Sequence, residues 1–151
     1  MDGRVAAVVL AAALAGGCGS SGGPDRDGDG GAALPVAVEC GTQYRPDAEQ
    51  LAGAEDATLR VPRGDGLAGD SGTLEFDLMT LNVTYRGEGP EGGSVDLVVT
   101  TAAGEPLART LYQVGGTALG QVDFAGGHGF TGLHYVDHQG AQLQVWCAAA
   151  E

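Results

Sequence analysis

Over residues 34–151 apolar and polar positions alternate with a period of two, interrupted at short intervals by glycine-rich turns. That period is the signature of strands with one buried face. Val36, Val38 and Cys40 share one phase, with Ala37 and Glu39 on the other. Leu59 and Val61 alternate with Thr58 and Arg60. The strongest signal covers residues 73–86, where Leu74, Phe76 and Leu78 give way to Met79, Leu81, Val83 and Tyr85. A phase switch inside one long strand predicts a bulge or a crossing between sheets. Val95, Leu97 and Val99 mark the next strand, and segments 107–114, 117–124, 130–137 and 141–147 follow. Residues 46–52 are the one helical expectation, with Pro46 suited to a first turn. About eight short strands at this spacing predict an all-β fold, a single antiparallel β-sandwich or small barrel. No helix of useful length is left to cover a parallel sheet, which excludes the α/β classes.

Residues 5–15 depart from this pattern as an unbroken apolar run behind Arg4, closed by small residues. As a helix the run would reach about 16 Å, roughly half of a bilayer's hydrocarbon core. Such a segment is a signal peptide and not a membrane span. Its end, Leu14-Ala15-Gly16-Gly17-Cys18, resembles the lipobox of bacterial lipoproteins. The resemblance concerns export alone and implies nothing about the remainder of the chain. It implies that residues 1–17 are removed and that Cys18 receives a diacylglyceryl group, with palmitate-like acyl chains holding the protein on the outer leaflet. An alternative stays open: Ala13-Leu14-Ala15 fits ordinary signal cleavage, which would release a secreted protein with a free thiol at Cys18. Residues 18–33 then form the lipidated cysteine and a Gly/Ser/Asp spacer, a coil spanning about 20 Å. Residues 34–151 form the one domain.

Three cysteines are present. Cys40 lies on the apolar phase of the first strand, and Cys147 shares a face with Leu143 and Val145 on the last. Exported chains fold where thiols oxidise, so Cys40 pairs with Cys147, leaving Cys18 for lipid. The loop this bond closes spans nearly the whole domain, which the chain-entropy argument values at about 4–5 kcal/mol. With 28 glycines and only one Trp, four Tyr and three Phe, packing alone gives this chain a thin core. Trp146 adjoins the second cysteine instead of lying between the two, which speaks against an immunoglobulin domain.

The formal charge is −13, unchanged by loss of residues 1–17 because Asp2 and Arg4 cancel. An acidic surface repels nucleic acid and anionic headgroups. Nucleic-acid binding is therefore excluded, and any membrane association has to come from the lipid. The absence of Lys and Ile and the single Asn indicate a GC-rich genome of the kind actinobacteria carry.

Several segments imitate chemistry. The hexapeptides beginning at Gly17, Gly64, Gly87 and Gly127 fit the dinucleotide-binding spacing, but none opens a helix, which phosphate binding needs. Gly69-Asp70-Ser71-Gly72 resembles the nucleophile loop of trypsin-like proteases, yet no His precedes Ser71. Asp25-Arg26-Asp27-Gly28-Asp29-Gly30 matches half of a calcium loop, with Val36 where the bidentate carboxylate belongs. His128, His134 and His138 fall within a short stretch, and the turn between 130 and 147 decides where they point. A two-residue loop, Gln139-Gly140, would set His134 opposite Val145. A three-residue loop starting at His138 pairs Tyr135 with Leu143 and Leu133 with Val145, apolar on apolar, and is the expectation. It leaves His134, Val136 and Trp146 outward and the histidines scattered, so no metal ligands, catalytic residues or cofactor are assigned. Trp146 is a candidate interaction residue, or else lies under a neighbouring loop.

The expected function is therefore a non-catalytic binding or interaction module of the cell envelope, engaging a protein, glycan or lipid. Two alternatives remain. One is a small metal-dependent hydrolase using His128, His134, His138 and Asp137; the other is a lipid carrier with an apolar cavity.

Overall fold

The computed structural model describes residues 34–87, 92–114 and 127–151. The fold is all-β: among the described residues eight strands form two antiparallel four-stranded sheets. The strands are β1 (Ala37–Arg45), β2 (Glu55–Pro62), β3 (Asp70–Glu75), β4 (Met79–Arg86), β5 (Gly93–Thr101), β6 (Pro106–Val114), β7 (His134–His138) and β8 (Ala141–Ala150). One sheet has the order β2-β1-β8-β7 and the other β3-β4-β5-β6. Around the molecule each strand neighbours the next in sequence, and β8 returns to pair with β1. The arrangement is an up-and-down barrel flattened into a sandwich, with its ladders interrupted between β2 and β3 and between β6 and β7.

Alternation fills the interior. Val38, Cys40 and Tyr44 from β1, Met79, Leu81, Val83 and Tyr85 from β4, Val95, Leu97 and Val99 from β5, and Leu143, Val145 and Cys147 from β8 make one buried cluster. Cys40 and Cys147 are bonded across 107 residues of sequence. They are facing partners on adjacent strands of the same sheet, 4.0 Å apart at Cα. The bond thus staples the first strand to the last along one ladder.

Three expectations are corrected. Residues 46–52 form successive turns, not a helix. The Asp47 carboxylate accepts the Glu49 amide at 2.9 Å and the Asp47 carbonyl accepts the Gln50 amide at 3.1 Å, so local Asx bonding displaces the helical pattern. The phase switch in 73–86 is neither a bulge nor a crossing, but the tight hairpin between β3 and β4. The Phe76 amide donates to the Met79 carbonyl at 2.8 Å, and the register pairs Leu74 with Leu81. Facing residues in that hairpin are of opposite parity, which inverts the apolar phase while both strands keep one inner face. Segment 130–137 is strand only from His134 onward, and 117–124 lies outside the described residues.

The β7–β8 turn is also the two-residue form. Gln139 and Gly140 have φ of 51° and 87°, the left-handed pair that a type I′ turn requires. His134 therefore faces Val145, Val136 faces Leu143, and Tyr135 faces Gln144. The three-residue register, chosen to set Tyr135 against Leu143, is overturned. Every side chain of β7 consequently lies on the opposite face from the one expected.

Candidate binding face

The outer face of the β2-β1-β8-β7 sheet follows from the parity of its buried residues. With Val38, Cys40, Thr42 and Tyr44 inward on β1, Gly41, Gln43 and Arg45 point outward. On β8 the outward residues are Gln142, Gln144 and Trp146, and on β7 they are Tyr135 and Asp137. The register places Trp146 beside Gly41, Gln144 between Gln43 and Tyr135, and Gln142 between Arg45 and Asp137. Tyr135 is 58 % exposed, and it sits diagonally from Trp146 across the β7–β8 ladder.

Trp146 is half-buried. A Cβ on Gly41 would come within 2.5 Å of the indole Cζ2, so the ring rests directly on the glycine backbone. His128 meets the indole edge-to-face, with centroids 5.5 Å apart. The loop carrying His128 is held in place because Gly129 bridges to Cys147 and Thr131 Oγ1 accepts the Cys147 amide at 2.7 Å. Trp146 therefore faces outward and is flanked by a loop residue.

Two hydrogen-bonded chains cross this face. Arg45 Nε donates to Gln43 Oε1 at 2.9 Å, and Gln43 Nε2 donates to Asp56 Oδ1 at 3.0 Å. Gln144 Nε2 donates to Gln142 Oε1 at 3.1 Å, and Gln142 Nε2 donates to Asp137 Oδ1 at 3.0 Å. A guanidinium can only donate and a carboxylate can only accept, so the orientation of each intervening carboxamide is fixed. The outcome is a set of three glutamines held in defined planes beside two aromatic rings. Sequence reasoning missed most of this face. Tyr135 was lost to the register of the turn, and Gln43 because the first strand's alternation was followed only as far as Cys40. The signals were Gln139-Gly140 itself and the alternation of Gln142, Gln144 and Trp146.

The three histidines are not brought together. His134 points into the seam between β6 and β7, where its Nε2 bonds to the Tyr112 hydroxyl. Tyr112 also donates to the Thr131 carbonyl at 3.1 Å. Burial raises the Tyr112 pKa. His128 is on the far side of the sheet against Trp146, and His138 opens the turn. Asp137, proposed to work with them, faces outward and holds Gln142. Among the described residues no group of three metal-ligating side chains is assembled.

The seam holds a cavity of about 70 Å³ lined by residues including Leu97, Val99, Ala108, His134 and Val145. Drug-sized ligands occupy roughly 300–1,000 Å³, so this space is far too small for an acyl chain. Ser71 Oγ bonds to Thr84 Oγ1 at 2.8 Å, as a cross-strand hydroxyl pair within β3 and β4 with no base beside it. The Gly64 amide bonds to the Tyr85 carbonyl at 3.1 Å in the crossing from β2 to β3, with no helix behind it. Cys18 and the acidic 25–30 segment lie outside the described residues.

No family model, no curated protein and no solved structure matches this chain.

Proposed function

We propose that this chain is a non-catalytic binding module of the cell envelope, engaging its ligand through the outer face of the β2-β1-β8-β7 sheet. The observation that carries this reading is the solvent-facing row of Tyr135, Gln144 and Gln43 beside Trp146, fixed by the two hydrogen-bonded chains. Exposed glutamines ordinarily sample many rotamers, and ordering one side chain costs about 0.5–1.5 kcal/mol on binding. Here much of that ordering is complete before any ligand arrives. Aromatic rings add large, stiff contact area at low entropic cost.

In this reading Cys18 carries the lipid that holds the protein on the outer leaflet, and residues 19–33 set the domain off the membrane. The lipobox resemblance and the Cys40–Cys147 bond, which suits an oxidising compartment, support that placement. Co-sedimentation with isolated cell envelopes tests the face. Tyr135→Ala should reduce the bound fraction severalfold, while Thr80→Ala, on the opposite sheet, should leave it unchanged. Equal effects of the two substitutions would end this assignment. Incorporation of labelled fatty acid, abolished in Cys18→Ser, tests the anchor separately.

A further inference from the structure

The chemistry of this face narrows the class of ligand. Its hydrogen-bonding groups are carboxamides, carboxylates and the guanidinia of Arg45 and Arg60, all planar, and they share the face with the exposed ring of Tyr135 and the half-buried indole of Trp146. Planar side chains of this kind can engage vicinal hydroxyls through paired donors and acceptors, and aromatic rings pack against the apolar C–H faces of pyranose rings. Resting on the proposed binding face, we propose that its ligand is an uncharged glycan.

Charge excludes the neighbouring possibilities. The formal charge of −13 repels acidic polysaccharides, polyphosphates and anionic lipid surfaces. On the face itself the cations Arg45 and Arg60 stand among the carboxylates of Glu39, Asp56 and Asp137, so the surface carries no net positive charge. Asp137 is engaged by Gln142 and projects no positive charge. A face with neither net positive charge nor a broad apolar patch fits a ligand rich in hydroxyls and free of ionised groups.

Orientation adds a second argument. Asp137 can only accept, so Gln142 turns its Nε2 toward it and its Oε1 toward Gln144, which in turn spends an N–H on that oxygen. The Gln144 Oε1 is thereby left as the acceptor beside Tyr135, its facing partner on β7. An acceptor set next to an aromatic ring is the combination that binds a sugar hydroxyl while the ring carries the pyranose face. Gln144→Glu is the discriminating variant. It preserves size, but a carboxylate cannot donate to Gln142 Oε1, so the polarised chain is broken.

The experiment is calorimetric titration of the full chain in detergent with neutral hexasaccharides of β-1,4-glucose, β-1,4-N-acetylglucosamine, α-1,4-glucose and α-1,6-mannose. A hexamer of hyaluronan serves as the anionic control. Trp146, the sole tryptophan, gives a parallel fluorescence readout. At least one neutral hexasaccharide should bind while hyaluronan does not. Tyr135→Ala and Gln144→Glu should each weaken it about tenfold, equivalent to about 1.4 kcal/mol, and Thr80→Ala should have no effect. Failure of all four neutral probes, with Tyr135-dependent envelope binding intact, overturns the glycan class but not the binding face. Binding that is indifferent to Tyr135 and Gln144, or preferential binding of hyaluronan, overturns the assignment of this ligand to this surface.

Discussion

Trp146 lies on Gly41 so closely that no other residue can occupy position 41 without displacing the ring. A Cβ there would meet three indole atoms between 2.5 and 2.9 Å. Gly41→Ala should therefore lift the indole, shift its emission to the red, and cost about 1–3 kcal/mol as overpacking does. Unchanged emission and an unchanged thermal midpoint would mean the ring does not rest where described. A second residue-level effect concerns Asp96, which is 5 % exposed although it lies on the outer side of β5. Arg109 reaches it from β6 through Nε at 3.0 Å and a terminal nitrogen at 2.7 Å, while Arg86 stands 3.8 Å away. The hydrogen bond to Asp96 raises the guanidinium pKa of Arg109 further. Arg109→Met leaves the buried Asp96 carboxylate with only the more distant Arg86 and should lower stability. Combining it with Asp96→Val removes both partners and should recover most of that loss. Urea unfolding of the single and double variants measures the difference, and a double variant weaker than the single would refute the argument.

Turns decide how elements meet, and the β7–β8 turn decides the face. Gln139 takes a left-handed conformation that a residue with a Cβ adopts at a cost, whereas Asn tolerates it. Gln139→Asn should raise stability by a few tenths of a kcal/mol to about 1 kcal/mol while preserving the register. Gly140→Ala, at φ of 87°, should destabilise by at least as much. Chemical denaturation measures both, and a stabilised Gly140→Ala variant would contradict the turn geometry. The same turn explains where sequence reasoning stopped. Most strands, their antiparallel class and the pairing of Cys40 with Cys147 were legible because burial imposes alternation on each of them. The β3–β4 hairpin was hidden because its turn, Asp77-Leu78, contains no glycine and continues the apolar content of its flanks. The register of β7 was misread because Leu133 and Tyr135 look like core residues. The inward-facing phase is instead His134 and Val136, and the polarity of His134 is satisfied by Tyr112, a partner on β6 that no local pattern reveals. Tyr135 could enter the candidate site only once that register was known.

At the scale of the whole molecule, stability depends on closing a glycine-rich cylinder in which, among the described residues, β2–β3 and β6–β7 form no ladder. The Cys40–Cys147 bond joins the chain's first and last strands, and Tyr85 and Tyr112 tie down segments beside the interrupted seams. Tyr85 donates to the Pro35 carbonyl at 2.9 Å and Tyr112 to the Thr131 carbonyl at 3.1 Å. Tyr44 stacks on Phe76 at 5.0 Å inside the core. Burial is the leading cause that raises the pKa of each of these three phenols above 10.0. For Tyr85 and Tyr112, ionisation would also set a phenolate against a carbonyl oxygen. The sign of the pH effect follows. Below pH 10 both folded and unfolded chains keep the three protons, and the stability is complete. Above it the unfolded chain releases them while the folded chain does not, so stability falls as pH rises toward the folded values. The thermal midpoint should therefore be insensitive to these groups at neutral pH and fall above pH 10, with phenolate absorbance from the three lagging behind that of exposed tyrosine. Tyr112→Phe removes one of the protons and should make the alkaline decline shallower, at the cost of about 1 kcal/mol at neutral pH for the lost hydrogen bond. A phenolate signal from all four tyrosines that develops at pH 10 while the fold remains intact would show that the seams are open to solvent and that these hydroxyls do not hold the sheets together.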